Sequence, residues 1–150
     1  MNDRNGTRAL AAFIMSGAAS FAAGPVWASD LIVEISGIQS DAGEVGCALF
    51  LNTAGFPREP SQAVRQRWQP AKIPTVTCRF DGLKPGHYAV AVTHDLNGNH
   101  RTDANVFGMP TEDWGVSNNV RPAFRAPTFD EAMFAVTDAS PMTIAIRLAR

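Results

Sequence analysis

The chain has 150 residues, 45% of them hydrophobic, with 13 basic and 14 acidic side chains and a formal net charge of −1. That charge balance excludes the basic footprint that a phosphate backbone demands, and no polybasic run is offered to anionic lipid. No nucleic acid is therefore expected as a partner.

The first segment has the three parts of a secretory signal peptide. Arg4 and Arg8 make a positive start, and Ala9 to Met15 opens an uncharged, Ala-rich stretch that runs to Ala28. Gly24-Pro25 interrupts any helix there, and Val26-Trp27-Ala28 places compact residues before the expected cut. A spanning helix needs about 20 strongly apolar residues, which neither this stretch nor any later one supplies. The sequence thus predicts a signal peptide over residues 1–28, cleaved after Ala28, and a working domain over residues 29–150 with no membrane span. Loss of Asp3, Arg4 and Arg8 leaves 11 basic and 13 acidic residues, a net of −2. A periplasmic or secreted protein is expected.

Strand patterns fill the rest. Leu31, Val33 and Ile35 form one apolar phase, and Val45, Cys47 and Leu49 the next. Val76, Cys78 and Phe80 follow, then Tyr88, Val90 and Val92, and finally Met142, Ile144, Ile146 and Leu148. Period two over short, turn-bounded runs predicts antiparallel strands with one buried face. Between two of them, Lys84-Pro85-Gly86-His87 predicts a type II turn with Gly86 at positive φ, and Leu83 closes the core end. Segment 52–74 is less regular. Ser61 to Trp68 suggests a short helix capped by Ser61, among Pro57, Pro60, Pro70 and Pro74.

Both cysteines fall in the apolar phase of their strands. In an oxidising compartment they predict one disulfide, Cys47–Cys78, with two buried thiols as the alternative. The residues are 31 apart, so closing that loop is worth about 3.5 kcal/mol on the chain-entropy model.

Segment 94–128 is long, polar and punctuated by glycine, which marks a functional loop or one with structure of its own. Asp95, Asn97, Asn99 and Asp103 occupy the first, third, fifth and ninth places of a calcium loop, and the Arg101 carbonyl occupies the seventh. His100 stands where such loops place glycine, and Val106 stands at the twelfth place, leaving Glu112 or Asp113 to fold back as the closing carboxylate. A solvated turn in which Asp and Asn bond their own backbone is the alternative. His94 and His100 could add nitrogen donors beside Asp95 or Asp103 for a transition metal.

No catalytic constellation emerges. Ser117 and Ser140 lie in no nucleophile elbow, and the glycines form no phosphate cradle. The carboxylates Asp95, Asp103, Glu112, Asp113, Asp130 and Glu131 could pair as acid and base, an alternative that reads the chain as a hydrolase of an envelope polymer. Trp114 with Asn118 and Asn119 offers a sugar platform, the carbohydrate-binding alternative. Packing of Trp114 over the sandwich end is the plainer expectation.

Three motifs in order carry a resemblance. They are Phe80-Asp81-Gly82-Leu83-Lys84-Pro85-Gly86-His87-Tyr88-Ala89-Val90 with His94-Asp95-Leu96-Asn97-Gly98-Asn99, then Phe107 to Asn119, then Pro127 to Phe134. Together they resemble domain-of-unknown-function family 2141, over roughly Leu31 to Leu148. The resemblance implies an exported bacterial domain with a prealbumin-like sandwich and no established activity. Its members usually carry Asp-x-Asn-Gly-Asn-Gly in the polar loop, where this chain has His100 as the last residue. The combined expectation is an all-β protein, a single antiparallel β-sandwich of about seven strands with a polar loop over 94–128. Its expected role is that of a non-catalytic binding or structural module, with calcium as the candidate ion and an envelope polysaccharide or protein as the candidate partner.

Overall fold

Apolar alternation resolves into two facing sheets. The computed structural model describes residues 29–138 and 141–150, and the predicted leader, residues 1–28, lies outside them. In chain order the described strands are β1 (Ser29–Ser36), β2 (Glu44–Phe50), β3 (Arg65–Pro70), β4 (Thr75–Leu83) and β5 (Gly86–Asp95), followed by β6 (Trp114–Val116), β7 (Phe134–Val136) and β8 (Met142–Arg147). One sheet has the order β4-β1-β8. The other runs β3-β2-β5-β6, with β7 paired to the start of β5. The result is the expected all-β sandwich, with eight strands among the described residues.

The inner faces are those the alternation marked. Leu31, Val33 and Ile35 face Val45, Leu49 and Val90 across a common core, which Phe80 and Ile146 fill out. Each such side chain contributes about 1.5–3 kcal/mol when taken from water. Cys47 and Cys78 are bonded across this core with Cα atoms 6.5 Å apart, tying β2 of one sheet to β4 of the other. Leu83 does close one end, at 3% exposure.

Three local expectations need correction. β8 pairs with β1 in parallel, Val33 opposite Ile144 and Ile35 opposite Ile146. Period two is the same for both directions, so alternation alone could not reveal this. The Ser61 helix is absent: a 3-10 turn at Pro60–Gln62 leads into β3, which pairs along β2 from Glu44 to Leu49. Pairing satisfies the outer edge of β2, a tertiary demand that outweighs the local helical preference. There Arg65 donates to the Asp81 carbonyl and Arg67 to that of Arg79 at 3.2 Å, so these guanidiniums bridge the sheets at one edge. Finally, Gly86 does not adopt positive φ; Gly82 does, at 66°. The bend into β5 is held instead by Tyr88, whose hydroxyl donates to the Lys84 carbonyl at 2.9 Å, much as the tyrosine corner does in other sandwiches.

The larger sheet is covered on both faces. Phe50, Ala89 and Val116 on its outer side pack against Phe129 and Ala132 of a four-residue helix, α1 (Phe129–Ala132). Thr128 caps this helix by accepting from the Glu131 N–H, while the Glu131 carboxylate accepts from the Thr128 N–H. This second core covers one part of the outer face. The remainder is a groove.

Candidate functional site

Register brings together residues far apart in the chain. Trp68 on β3 lies opposite Gly46 on β2, Gly46 opposite Thr93 on β5, and Thr93 opposite Trp114 on β6. Because side chains alternate across a strand, all four belong to the face turned away from the main core. The next rung reads Gln66, Ala48, Ala91 and Val116. Two indoles therefore bracket a floor of glycine, alanine and one threonine.

That floor is what lets the walls stand. A Cβ on Gly46 would come within 2.3 Å of the Trp68 ring, so the indole lies directly across a position only glycine can fill. On its other side Trp68 stacks on His100, with ring centroids 4.2 Å apart. His100 in turn meets Glu44 at 3.1 Å. Its φ of 60° is the left-handed conformation that favours glycine and strains other residues. The imidazole's stacking and its bond to Glu44 offset that strain. His100 thus shapes the groove wall.

At the opposite wall, the Arg121 guanidinium lies 4.1 Å over the Trp114 ring and donates to the Trp114 carbonyl at 2.5 Å. Burial against the indole lowers the Arg121 pKa. Two segments rim the opening. One is a tight loop in which Asn105 Oδ1 accepts from the N–H groups of Phe107 and Met109, leaving Phe107 86% exposed. The other, residues 121–127, is clasped by Arg125, which makes two bonds of 2.6 and 2.8 Å to Glu131. Those bonds, with the Thr128 contacts, hold the Glu131 carboxyl down to about 2. The clasp therefore keeps its charge well into acid.

The groove measures about 790 Å³, within the range of small-molecule sites. Thr93 lines it, and the Thr93 hydroxyl is buried with no hydrogen-bond partner among the described residues. Such a group costs about 1–3 kcal/mol until something pairs it.

The polar loop adjoins this groove through Thr102 and His100. Asp95 is 0% exposed. Its Oδ1 accepts from the N–H groups of Asn97, Gly98 and Asn99, and its Oδ2 from that of His100 at 2.7 Å. Asn97 and Asn99 each donate a side-chain amide to Asp103, at 2.6 and 2.7 Å. Asn99 Oδ1 accepts from the Arg101 N–H. Glu112, rather than Asp113, folds back, taking the N–H groups of Leu96 and Asp103 at 2.8 and 3.0 Å. The structure thus unites Asp95, Asn97, Asn99, Arg101 and Asp103 in one loop and adds Glu112. Within it the carboxylates are linked through hydrogen-bond donors. Among the described residues no three His, Cys, Asp or Glu side chains form a metal-holding group. His94 lies apart from His100, with its ring buried against the Ala42 carbonyl at 2.8 Å.

Other predicted site residues divide. Trp114 stays half-buried and lines the groove. Asn118 instead donates to the carbonyls of Glu131 and Met133, and Asn119 spans Ala145 and Arg147 of the opposite sheet. Those amides hold backbone. Asp113 approaches Arg150 at 3.6 Å, and no Asp or Glu lines the groove.

Sequence reasoning missed Trp68, Thr93, Gly46, Ala91 and Arg121. One signal was available: the outward phase of β2 and β5 reads Gly46, Ala48, Ala89, Ala91, too small and apolar for a solvated face. A second was Thr128-x-x-Glu131, a capping box ahead of α1.

Residues 33–144 match the model of a family described as uncharacterized protein conserved in bacteria (DUF2141). No curated protein and no solved structure matches the chain.

Proposed function

This chain belongs to that bacterial family, DUF2141, and on that premise we propose that it is a non-catalytic ligand-binding module of the bacterial envelope. Its site is the groove over the Trp68–Gly46–Thr93–Trp114 rung. The observation that carries this is a groove of about 790 Å³ bracketed by two indoles over a floor of small side chains. The carbohydrate reading keeps Trp114 and loses Asn118 and Asn119, whose amides are spent on backbone. The hydrolase reading lacks a carboxylate in the groove. Export is supported by the predicted leader, and by a Cys47–Cys78 bond of the kind that persists in oxidising compartments.

A neutral fluorescent probe, N-phenyl-1-naphthylamine, tests the site. It should bind saturably and quench the emission of Trp68 and Trp114. The Ala91→Phe substitution fills the floor and should abolish uptake while leaving a cooperative unfolding transition. Absence of saturable uptake by the unaltered protein would remove the groove as a site.

A second reading concerns the adjoining loop, and it is favoured by Glu112 folding back toward Asp103. Calcium would be held by oxygens of Asp95, Asn97, Asn99 and Asp103, the Arg101 carbonyl and Glu112, with both amides turned to present oxygen. A hard cation suits such a donor set. With a dissociation constant of about 10⁻⁴ to 10⁻³ M, calcium at about 10 mM would add roughly 1.4–2.7 kcal/mol of stability. Chelator-treated protein should therefore melt several degrees higher on calcium addition. An unchanged Tm sinks this reading.

A further inference from the structure

The groove's charges say what it selects. Among the described residues four arginines, Arg58, Arg121, Arg125 and Arg150, line it and no acidic side chain does, in a chain whose net charge is −1. Arg125 is neutralised by Glu131, and Arg150 lies near Asp113. Arg58 and Arg121 make no ion pair among the described residues. Positive charge is thus gathered at one place, against the sign of the whole molecule, with Asp113 acting on Arg121 only from beyond ion-pair distance.

The rest of the lining is apolar. Ala48 and Ala91 make the floor, Trp68 and Trp114 the walls, and Phe107 and Phe124 the rim. Uncharged polar side chains are few, chiefly Gln66, Thr93 and Thr102. A saccharide presents a hydroxyl on nearly every carbon and would leave most of them unpaired against such walls. A hydrocarbon body would not. Its burial is favourable in proportion to the area removed from water.

We propose that the groove binds a small amphipathic anion, an apolar chain or ring bearing a carboxylate. The apolar body lies between Trp68 and Trp114, and the acidic head faces Arg58 and Arg121. Charge-assisted contacts to guanidinium are the strong polar term in this arrangement, and the exposed rim side chains close over the body. The proposal rests on the groove being the ligand site.

Displacement of N-phenyl-1-naphthylamine from the full chain, read by probe fluorescence, separates the two claims. Decanoate should displace it about tenfold more tightly than 1-decanol of the same chain length. Arg58→Gln and Arg121→Gln should each narrow the decanoate-to-decanol ratio of displacement constants, both measured against the probe's own affinity for that variant. Arg58 makes no contact that folding depends on among the described residues, so its variant keeps the test open if Arg121→Gln misfolds. Equal displacement by decanoate and 1-decanol, or by decyltrimethylammonium, would overturn the anion assignment and leave the groove standing. Glucuronate matching decanoate would overturn it in favour of an acidic saccharide. If the probe never binds, and sedimentation shows a dimer that Ala91→Phe dissociates, a second copy covers this face and both claims fall.

Discussion

Replacing Asp95 with alanine is expected to lower the unfolding free energy by about 3–4 kcal/mol, even in the presence of chelator. The carboxylate is fully buried and gathers four backbone N–H groups, those of Asn97, Gly98, Asn99 and His100. Without it these donors turn to water, since the loop itself is exposed, so the loss is smaller than four separate charge-assisted bonds. The loop's ordering is lost as well. Asp95→Asn is a graded control. Its oxygen can still serve three of the N–H groups, whereas its amide nitrogen would face the His100 N–H, donor against donor, at a cost of about 1–2 kcal/mol. Chemical unfolding monitored at constant m-value measures both. The consequence reaches the groove, because His100 is the residue against which Trp68 stacks. Trp68 emission should shift in the alanine variant before any global unfolding. A loss below about 1 kcal/mol would show that Asp95 does not organise the loop.

Removing the disulfide should cost nearly as much. The bond closes a loop between residues 31 apart, worth about 3.5 kcal/mol as constraint on the unfolded chain. Paired substitution Cys47→Ala with Cys78→Ala avoids burying new polar atoms in a site where both residues are at most 1% exposed. The same burial should make the bond resist dithiothreitol in the native state and yield to it on unfolding. Reduced protein should then unfold at lower denaturant than oxidised protein. An equal midpoint for the two forms, or two free thiols in denatured non-reduced protein, would show that the cysteines are not bridged.

How much of this was legible is clearest strand by strand. β1, β2, β4, β5 and β8 each bury one phase and expose or repurpose the other, so their alternation survives reading one residue after another. The phase of Cys47 and Cys78 carried through to a bond for the same reason. β3 was not legible. Arg65 to Pro70 has weak alternation, and its pairing answers the unpaired edge of β2, which lies elsewhere in the chain. The loop residues Asp95, Asn97, Asn99, Arg101 and Asp103 were legible because their geometry is local, within nine residues. Glu112 was one of two candidates, both buried, and only its bonds to the Leu96 and Asp103 N–H groups chose it over Asp113.

The groove is the counterpart. Trp68, Gly46, Thr93 and Trp114 come from four different strands, and nothing local relates them. Sequence by itself determined the all-β class, the inward faces, the cysteine phase, the polar loop and the likeness to the family's motifs. Each depends on residues within a few positions of one another. Tertiary structure alone decided the parallel placement of β8, the second core over Phe50 and Phe129, and the rung that sets two indoles around a floor of small side chains. Register between distant strands follows from packing both sheet faces at once, and that optimum is a property of the assembled sandwich rather than of any segment.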